Sequence, residues 1–418
     1  MGNDKKICLL NDSFPPSIDG VANAVVNYAG NLTKAGNRAL VVVPDYPDCD
    51  DSKYPFEVVR YPSIDLRKHF GYTAGIPFMP KTLRMLGREN IGLLHSHCPI
   101  ASNYLARNLR EELNVPLIMT YHTKFDVDIA NLIRGKVLQF GLVKALVESV
   151  SAVDELWVVS KGAGENIRKL GYEGEYIVMP NGVDMPRVRA GEEEILKMKK
   201  KHGLISKIPV FLFVGRLMWY KGIRIILDAL RALKSQNIDF KMVFIGGGGD
   251  EEEIKKYVSE LKLDDKCIFT GPVYDRNEIR VWYSLSDLFL FPSSFDTNGL
   301  VVREAAACSL GTVMLEGSCA AEGVTNGRNG LFIEENAASL AACLVKVMGN
   351  PNYLKELGEN ASRELYMSWE DAVSLALKRY EIVMDNYACG KCKRRKDITD
   401  EIFSLYGNLI DIFSEFHE

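Results

Sequence analysis

The chain has 418 residues, 47% of them apolar and 25% charged. At about 150 residues per domain this is enough for two or three cored domains, and it excludes a disordered or fibrous chain. Lys and Arg number 51 against 55 Asp and Glu, a net charge of -4, so no global basic excess calls for nucleic acid. The 9 cysteines are odd in number and scattered, which fits a reducing compartment better than a disulfide framework.

The opening Met1-Gly2-Asn3-Asp4-Lys5-Lys6 leads into an apolar run too short for the core of a secretory signal. No stretch approaches the ~20 apolar residues of a membrane span. Gly2 begins as a myristoylation signal does, but Lys6 stands where that signal carries Ser or Thr. The expectation is a cytoplasmic protein, peripheral at most on the inner face of the cell membrane.

Short apolar runs then alternate with amphipathic stretches. Strands are expected at Ile7–Leu10, Ala39–Val43, Gly92–His97, Leu117–His122, Leu156–Ser160 and Tyr176–Met179, with helices such as Val21–Ala35 and Ala101–Leu113 between them. Buried runs alternating with helices specify a parallel sheet covered on both faces, a doubly wound α/β domain. After Pro180-Asn181-Gly182-Val183-Asp184 the pattern restarts. Met185–His202 reads as a linker and a surface helix, followed by strands at Val210–Val214, Lys241–Ile245, Cys267–Thr270, Leu288–Phe291, Thr312–Leu315 and Leu331–Ile333. The expected domains are residues 1–184, 185–368 and a helical tail, 369–418. The first tail helix, Ser368–Asn386, is expected to cross back to the N-terminal domain. Cys389-Gly390-Lys391-Cys392, the basic run Lys393-Arg394-Arg395-Lys396 and an amphipathic helix near Thr399–Phe416 follow it. The Cys pair is half a zinc site, and no metal is assigned to it.

In open α/β sheets, ligands bind beyond the carboxyl ends of the strands, and four segments there carry chemistry. Asn11-Asp12-Ser13-Phe14-Pro15-Pro16-Ser17-Ile18-Asp19-Gly20 is either a proline-rich turn or an anion approach to a helix start. It lacks the spacing of a dinucleotide fingerprint. Thr120-Tyr121-His122-Thr123 ends a buried strand, so His122 is either a satisfied core imidazole or a donor to a sugar hydroxyl or phosphate. His95 and His97 share one face of the preceding strand and pose the same choice, without a third partner at zinc spacing. Gly215-Arg216-Leu217-Met218-Trp219-Tyr220-Lys221-Gly222 sets a guanidinium fork and an ammonium in one loop, a pair suited to a diphosphate leaving group. Ser293-Ser294-Phe295-Asp296-Thr297-Asn298-Gly299-Leu300-Val301-Val302-Arg303-Glu304 puts one carboxylate before a helix and one inside it. These two fit either a cap and a surface acid or the two ends of an elongated ligand. Gly246-Gly247-Gly248-Gly249-Asp250 is either a turn or a phosphate cradle; it lacks the Lys and Ser/Thr of a P-loop.

Taken in this order on two α/β domains, these segments resemble glycosyltransferase family 4 of the GT-B architecture over roughly residues 5–386. The resemblance is greatest to bacterial diacylglycerol glucosyltransferases and phosphatidylinositol mannosyltransferases. It implies two Rossmann-like domains facing across a cleft that closes on the donor. It implies Gly20 by the donor diphosphate, His122 by the donor sugar, and Arg216 and Lys221 on the departing diphosphate. Asp296, Asn298, Gly299, Leu300 and Val301 would then contact sugar and phosphate, Glu304 the ribose hydroxyls, and Val273 the base. Asp19 and His97 would lie on the acceptor side. The family usually has Glu where this chain has Asp296, a side chain one methylene shorter, and this bears on which sugar is taken. The implied activity is retaining, metal-independent hexosyl transfer from a nucleotide sugar, UDP-glucose in the first instance, with no cofactor.

Residues 53–88 carry Lys53, Arg60, Arg67, Lys68, Lys81, Arg84 and Arg88 against Glu57 and Asp65, interleaved with Phe70, Tyr72, Ile76, Phe78, Met79, Leu83 and Leu86. A basic stretch of this kind is either a solvated face or a seat on anionic lipid. The expected acceptor is a membrane lipid such as diacylglycerol. A soluble sugar or sugar-phosphate acceptor, a nucleotide-sugar epimerase and a non-catalytic two-domain binding protein are the competing readings.

Overall fold

The structure, a computed structural model, describes residues 4–17, 19–47, 49–65, 73–125, 129, 135–204 and 208–392. Ile18, Arg67, Lys68, Phe70, Tyr72, the basic run 393–396 and the helix expected at 399–416 lie outside the described residues. The chain forms two compact units, Met1–Asn181 with Trp369–Glu418, and Gly182–Ser368.

Unit 1 is built from β1 (Lys6–Leu10), α1 (Gly20–Lys34), β2 (Arg38–Pro44), β3 (Glu57–Tyr61), β4 (Ser63–Asp65), β5 (Thr73–Gly75), α2 (Pro80–Gly87) and β6 (Ile91–Ser96). It continues with α3 (Ala101–Leu113), β7 (Leu117–Tyr121), α4 (Lys136–Ser151), β8 (Glu155–Val158), α5 (Lys161–Lys169) and β9 (Tyr176–Val178). Seven strands form a parallel sheet in the order β3-β2-β1-β6-β7-β8-β9, and β4 and β5 pair as a separate antiparallel hairpin. Strands β1, β6 and β7 are buried throughout, as strands covered on both faces must be. Helices start where side chains cap them: Asp19 accepts from the Val21 and Ala22 amides, and Ser160 from the Ala163 amide.

Unit 2 repeats the plan with α6 (Glu192–Lys201), β10 (Val210–Val214), α7 (Ile223–Ser235), β11 (Lys241–Ile245), α8 (Glu251–Glu260), β12 (Cys267–Gly271), α9 (Arg276–Leu285) and β13 (Leu288–Phe291). It closes with α10 (Leu300–Ala307), β14 (Thr312–Leu315), β15 (Leu331–Ile333), α11 (Ala337–Met348) and α12 (Pro351–Glu364). Its parallel sheet runs β12-β11-β10-β13-β14-β15. The two sheets share a device at their starts. An aspartate before one strand receives the first amide of its neighbour: Asp154 holds the Leu117 amide at 2.8 Å and Asp287 the Val210 amide at 2.8 Å.

The long helix α13 (Trp369–Ala388) belongs to unit 1 and packs on α1. Trp157 and Tyr380 stack with centroids 5.2 Å apart, Arg379 makes a two-pronged ion pair with Glu155, and the Trp157 indole donates to Glu155 at 2.6 Å. In each sheet the strand order reverses beside the first strand, between β1 and β6 and between β10 and β13. Ligands of doubly wound folds bind outside such switch points.

Candidate functional site

In unit 2 the switch point carries charge. The loop after β10 lies against the glycine run after β11: the Gly215 amide donates to Ile245 O, Leu217 to Gly247 O, and Trp219 to the Asp250 carboxylate, at 3.0, 3.0 and 2.8 Å. Gly246 sits at φ +136, and a Cβ on it would collide with the Gly215 carbonyl oxygen. The glycine run is therefore needed for close backbone approach, which fixes where Arg216 and Lys221 stand. Gly222, at φ +76, ends this loop against β13, where a Cβ would collide with the Pro292 carbonyl oxygen.

Lys221 is buried at 8% exposure and does not stand free. Its ammonium donates to both oxygens of Asp296, at 2.7 and 2.9 Å, and Ser293 Oγ donates to the same carboxylate at 2.7 Å. Tyr220 and Phe295, with rings 4.7 Å apart, each place a centroid 5.6 Å from the ammonium. Desolvation and two π faces strengthen the pairing. An ammonium has three donors, so one remains for an incoming anion. Arg216 is exposed, lies 6.0 Å from the Tyr220 ring, and has no acidic partner among the described residues. It is the cation of this loop open to phosphate.

Glu304, inside α10, does not meet Asp296. Arg276 donates to its Oε1 at 2.7 Å and Tyr283 to its Oε2 at 3.1 Å. Asn298 is 8% exposed, and neither its amide nitrogen nor its oxygen has a partner. A buried amide in this state is poised for a polar ligand. Gly299 is the N-cap of α10, and the half-buried Leu300 and Val301 open its first turn. Val273 follows β12 and packs on the unit 2 core.

In unit 1 the switch point carries neutral imidazoles. His95, His97 and His122 are 0%, 1% and 5% exposed, and the His95 and His97 rings are 4.1 Å apart. Burial pushes the His122 pKa down to about 3, and it pushes those of His95 and His97 well below the ordinary value. His95 Nδ1 is 2.6 Å from the Tyr380 hydroxyl and Nε2 2.7 Å from the Thr120 hydroxyl. His97 Nδ1 is 3.0 Å from His122 Nε2, and the Asn181 amide donates to His122 Nδ1 at 3.5 Å. With that donor in place, His122 donates from Nε2, and His97 is left with a buried Nε2–H that has no acceptor. His122 is thus buried and bonded rather than open at its strand end.

The loop after β1 is built by its own polar groups. Asn11 Nδ2 donates to Ser13 O, Arg60 to Pro15 O, and the Ser102 amide to Asp12, at 2.7, 2.9 and 2.6 Å. Asp19 and Gly20 are exposed, and the Asp19 carboxylate already holds the two amides that an anion at this helix start would seek. A Cβ on Gly20 would meet open space. Among the described residues no group of three His, Cys, Asp or Glu side chains is placed to hold a metal ion. Arg276, Tyr283, Tyr380 and Asn181 join these clusters from distant positions, and no local spacing marks them.

Comparison with known proteins follows the same division. Residues 18–187 match the family described as Glycosyltransferase Family 4, and residues 194–364 the one described as Glycosyl transferases group 1. The chain is similar to the alpha-monoglucosyldiacylglycerol synthase of Acholeplasma laidlawii, 23% identical over 368 residues, 85% of this chain and 91% of that protein. It is similar to the D-inositol 3-phosphate glycosyltransferase of Pseudarthrobacter chlorophenolicus, 24% identical over 318 residues, 72% of each chain. Among solved structures, the Anabaena protein HepE, in complex with UDP and glucose, superposes with a TM-score of 0.72 at 18% identity, covering 90% of this chain and 99% of that one.

Proposed function

Since the chain belongs to glycosyltransferase family 4 and has the GT-B fold of two Rossmann-like parallel-sheet domains, we propose that it moves a hexose, glucose in the first instance, from a nucleotide sugar to a membrane lipid such as diacylglycerol. The observation that carries this reading is the cluster after β10: exposed Arg216, and Lys221 bonded to Asp296 between two aromatic rings. Departure of a nucleoside diphosphate concentrates negative charge on phosphate oxygens and positive charge on the sugar ring. Fixed cations at the first and a carboxylate at the second lower the barrier without reorganising.

The step is read as retaining. The acceptor oxygen bonds to the anomeric carbon on the face from which the phosphate oxygen leaves, and the acceptor proton goes to that phosphate. No protein nucleophile is needed. Arg216 and the third N–H of Lys221 receive the diphosphate, and Asp296, with Asn298, receives sugar hydroxyls. Lys221 and Arg216 supply the countercharge, so the reading is metal-independent and uses no cofactor. His122, with Asn181 on Nδ1 and His97 on Nε2, stays neutral and supplies no charge to the step.

Unit 1 supports the lipid acceptor. On α2, Lys81, Arg84 and Met85, with Arg88 just beyond, recur at helical spacing and are all exposed. Phe78 and Met79 precede them, 42% and 37% exposed. The first turns of α4 expose Val137, Leu138 and Phe140 between Lys136 and Lys144. Apolar side chains among cations suit an anionic lipid surface. Among the described residues no helix is long and apolar enough to cross a membrane. Glucose and diacylglycerol stand first because the Acholeplasma relative is named for both. A soluble sugar-phosphate acceptor is the second reading, favoured by the inositol phosphate relative.

The test is release of nucleoside diphosphate from UDP-, GDP- and ADP-sugars, with and without diacylglycerol in anionic vesicles. Release from one donor that rises at least about tenfold with the lipid is the expected result. Release from one donor that ignores the lipid moves the acceptor to the soluble pool. No release from any donor overturns the transferase reading.

A further inference from the structure

We propose that Arg276 and Tyr283 are positioning residues that turn the Glu304 carboxylate into a receptor for a vicinal diol, the ribose of the nucleotide donor; this rests on the proposed transfer from a nucleotide sugar and on the family resemblance, which implies Glu304 on the ribose hydroxyls. The two residues lie seven apart on α9, two turns of one helix face. They divide the carboxylate between them, Arg276 on Oε1 at 2.7 Å and Tyr283 on Oε2 at 3.1 Å. One oxygen is held from each side, so the carboxyl plane cannot rotate.

A carboxylate accepts about four hydrogen bonds. Here one place on each oxygen is taken and one on each is left. A cis diol presents two O–H donors to those two places. Asp296 differs: Lys221 occupies both of its oxygens and Ser293 adds a third bond, so about one place is left for a single hydroxyl. Of these two carboxylates, Glu304 is the one built to take a pair.

The holders are themselves fixed. Tyr283 is fully buried, with its ring against Phe289 at 5.7 Å. Burial and the Glu304 charge push its pKa well above the ordinary tyrosine value, so its hydroxyl stays a donor at every working pH. Arg276 also donates, through Nε and Nη2, to the Asp184 carbonyl at 3.1 and 2.9 Å, which sets the plane of its guanidinium. The Glu304 side chain retains 14% exposure, enough to be reached and too little for water to replace its partners.

The experiment measures binding of UDP and GDP against their 2′-deoxy analogues by calorimetry, using the full chain as wild type, Glu304→Gln, Arg276→Met and Tyr283→Phe. Donor kinetics are measured on the same proteins. Wild type is expected to prefer one ribonucleotide over its deoxy analogue by about tenfold, and Glu304→Gln to lose that preference. Arg276→Met and Tyr283→Phe, with Glu304 intact, are expected to lose most of it too. They should raise the donor KM about tenfold while kcat changes less than about threefold. Tyr283→Phe keeps the buried ring, so an unchanged thermal midpoint certifies its fold. Full preference in both holder variants, beside its loss in Glu304→Gln, overturns the positioning role and leaves the functional reading intact. Full preference in Glu304→Gln, or no binding of either ribonucleotide, overturns the reading of Glu304 and the proposal with it.

Discussion

At the carboxyl ends of its central strands unit 1 gathers His95, His97 and His122, all buried and all held neutral. At the same place in its own sheet unit 2 gathers Arg216, Lys221 and Asp296, all groups that carry charge. Two imidazoles 4.1 Å apart at 0% and 1% exposure cannot both be protonated without solvent to share the charge. Lys221 is almost as buried, yet its two-pronged bond to Asp296 and two aromatic faces supply what water would. One architecture thus provides a neutral polar floor in one unit and a preorganised ionic site in the other. A diphosphate leaving group needs the second.

The largest expected effect separates two glycines. Gly222→Ala would drive a Cβ into the Pro292 carbonyl and displace Lys221 from Asp296. Sugar transfer should fall at least about a hundredfold, read as initial rate on a protein whose circular dichroism is unchanged. Gly20→Ala, its counterpart in unit 1, meets open space at a helix start and should leave the unfolding midpoint unchanged or slightly raised. Equal losses of activity in both would erase the contrast.

The imidazole cluster should reveal itself through pH. The folded values lie below the ordinary 6.5, at about 3 for His122. Between those two limits the unfolded chain binds protons that the folded cluster refuses. Stability therefore falls as pH drops through the window, and these groups cost nothing above it. Urea midpoints from pH 7.5 to 4.5 should show the fall. His97→Gln should flatten the slope by up to one proton, about 1.4 kcal/mol per pH unit. An unchanged slope in that variant would mean that the cluster is charged after all.

A smaller effect is expected where α13 meets this cluster. Tyr380→Phe keeps the stacking on Trp157 and leaves His95 Nδ1 without its partner, at a cost of about 1–3 kcal/mol. Hydrogen exchange in Trp369–Ala388 should quicken by a matching amount, whereas exchange in Leu300–Ala307 should not change.

Much of this was legible in the amino-acid order. The apolar runs of β1, β6, β7, β10 and β13 stand out because strands buried on both faces admit little else, and the residues that follow them are the candidate site residues. Strand β3 was not legible: Glu57 and Arg60 interrupt its apolar pattern, since it is an edge strand whose Arg60 reaches to Asp51 and Pro15. Helix α4 hides for a different reason. Its first turns are apolar on several sides and mostly exposed, so no 3.6-residue periodicity emerges. Within the site, the residue types after each strand could be read, but not their pairing. Lys221 and Asp296 are 75 residues apart, and that the ammonium bonds the carboxylate follows from β10 and β13 lying side by side. The same holds for Arg276 and Glu304, joined across α9 and α10.

The claim that unit 2 drives the chemistry through this ionic site is tested most directly by Lys221→Met, with single-turnover sugar transfer and nucleoside diphosphate affinity measured on the same protein. Transfer is expected to fall by about a thousandfold while affinity changes by less than about tenfold, because the ammonium acts mainly on charge that develops as the diphosphate leaves. Transfer retained within tenfold of wild type would contradict it.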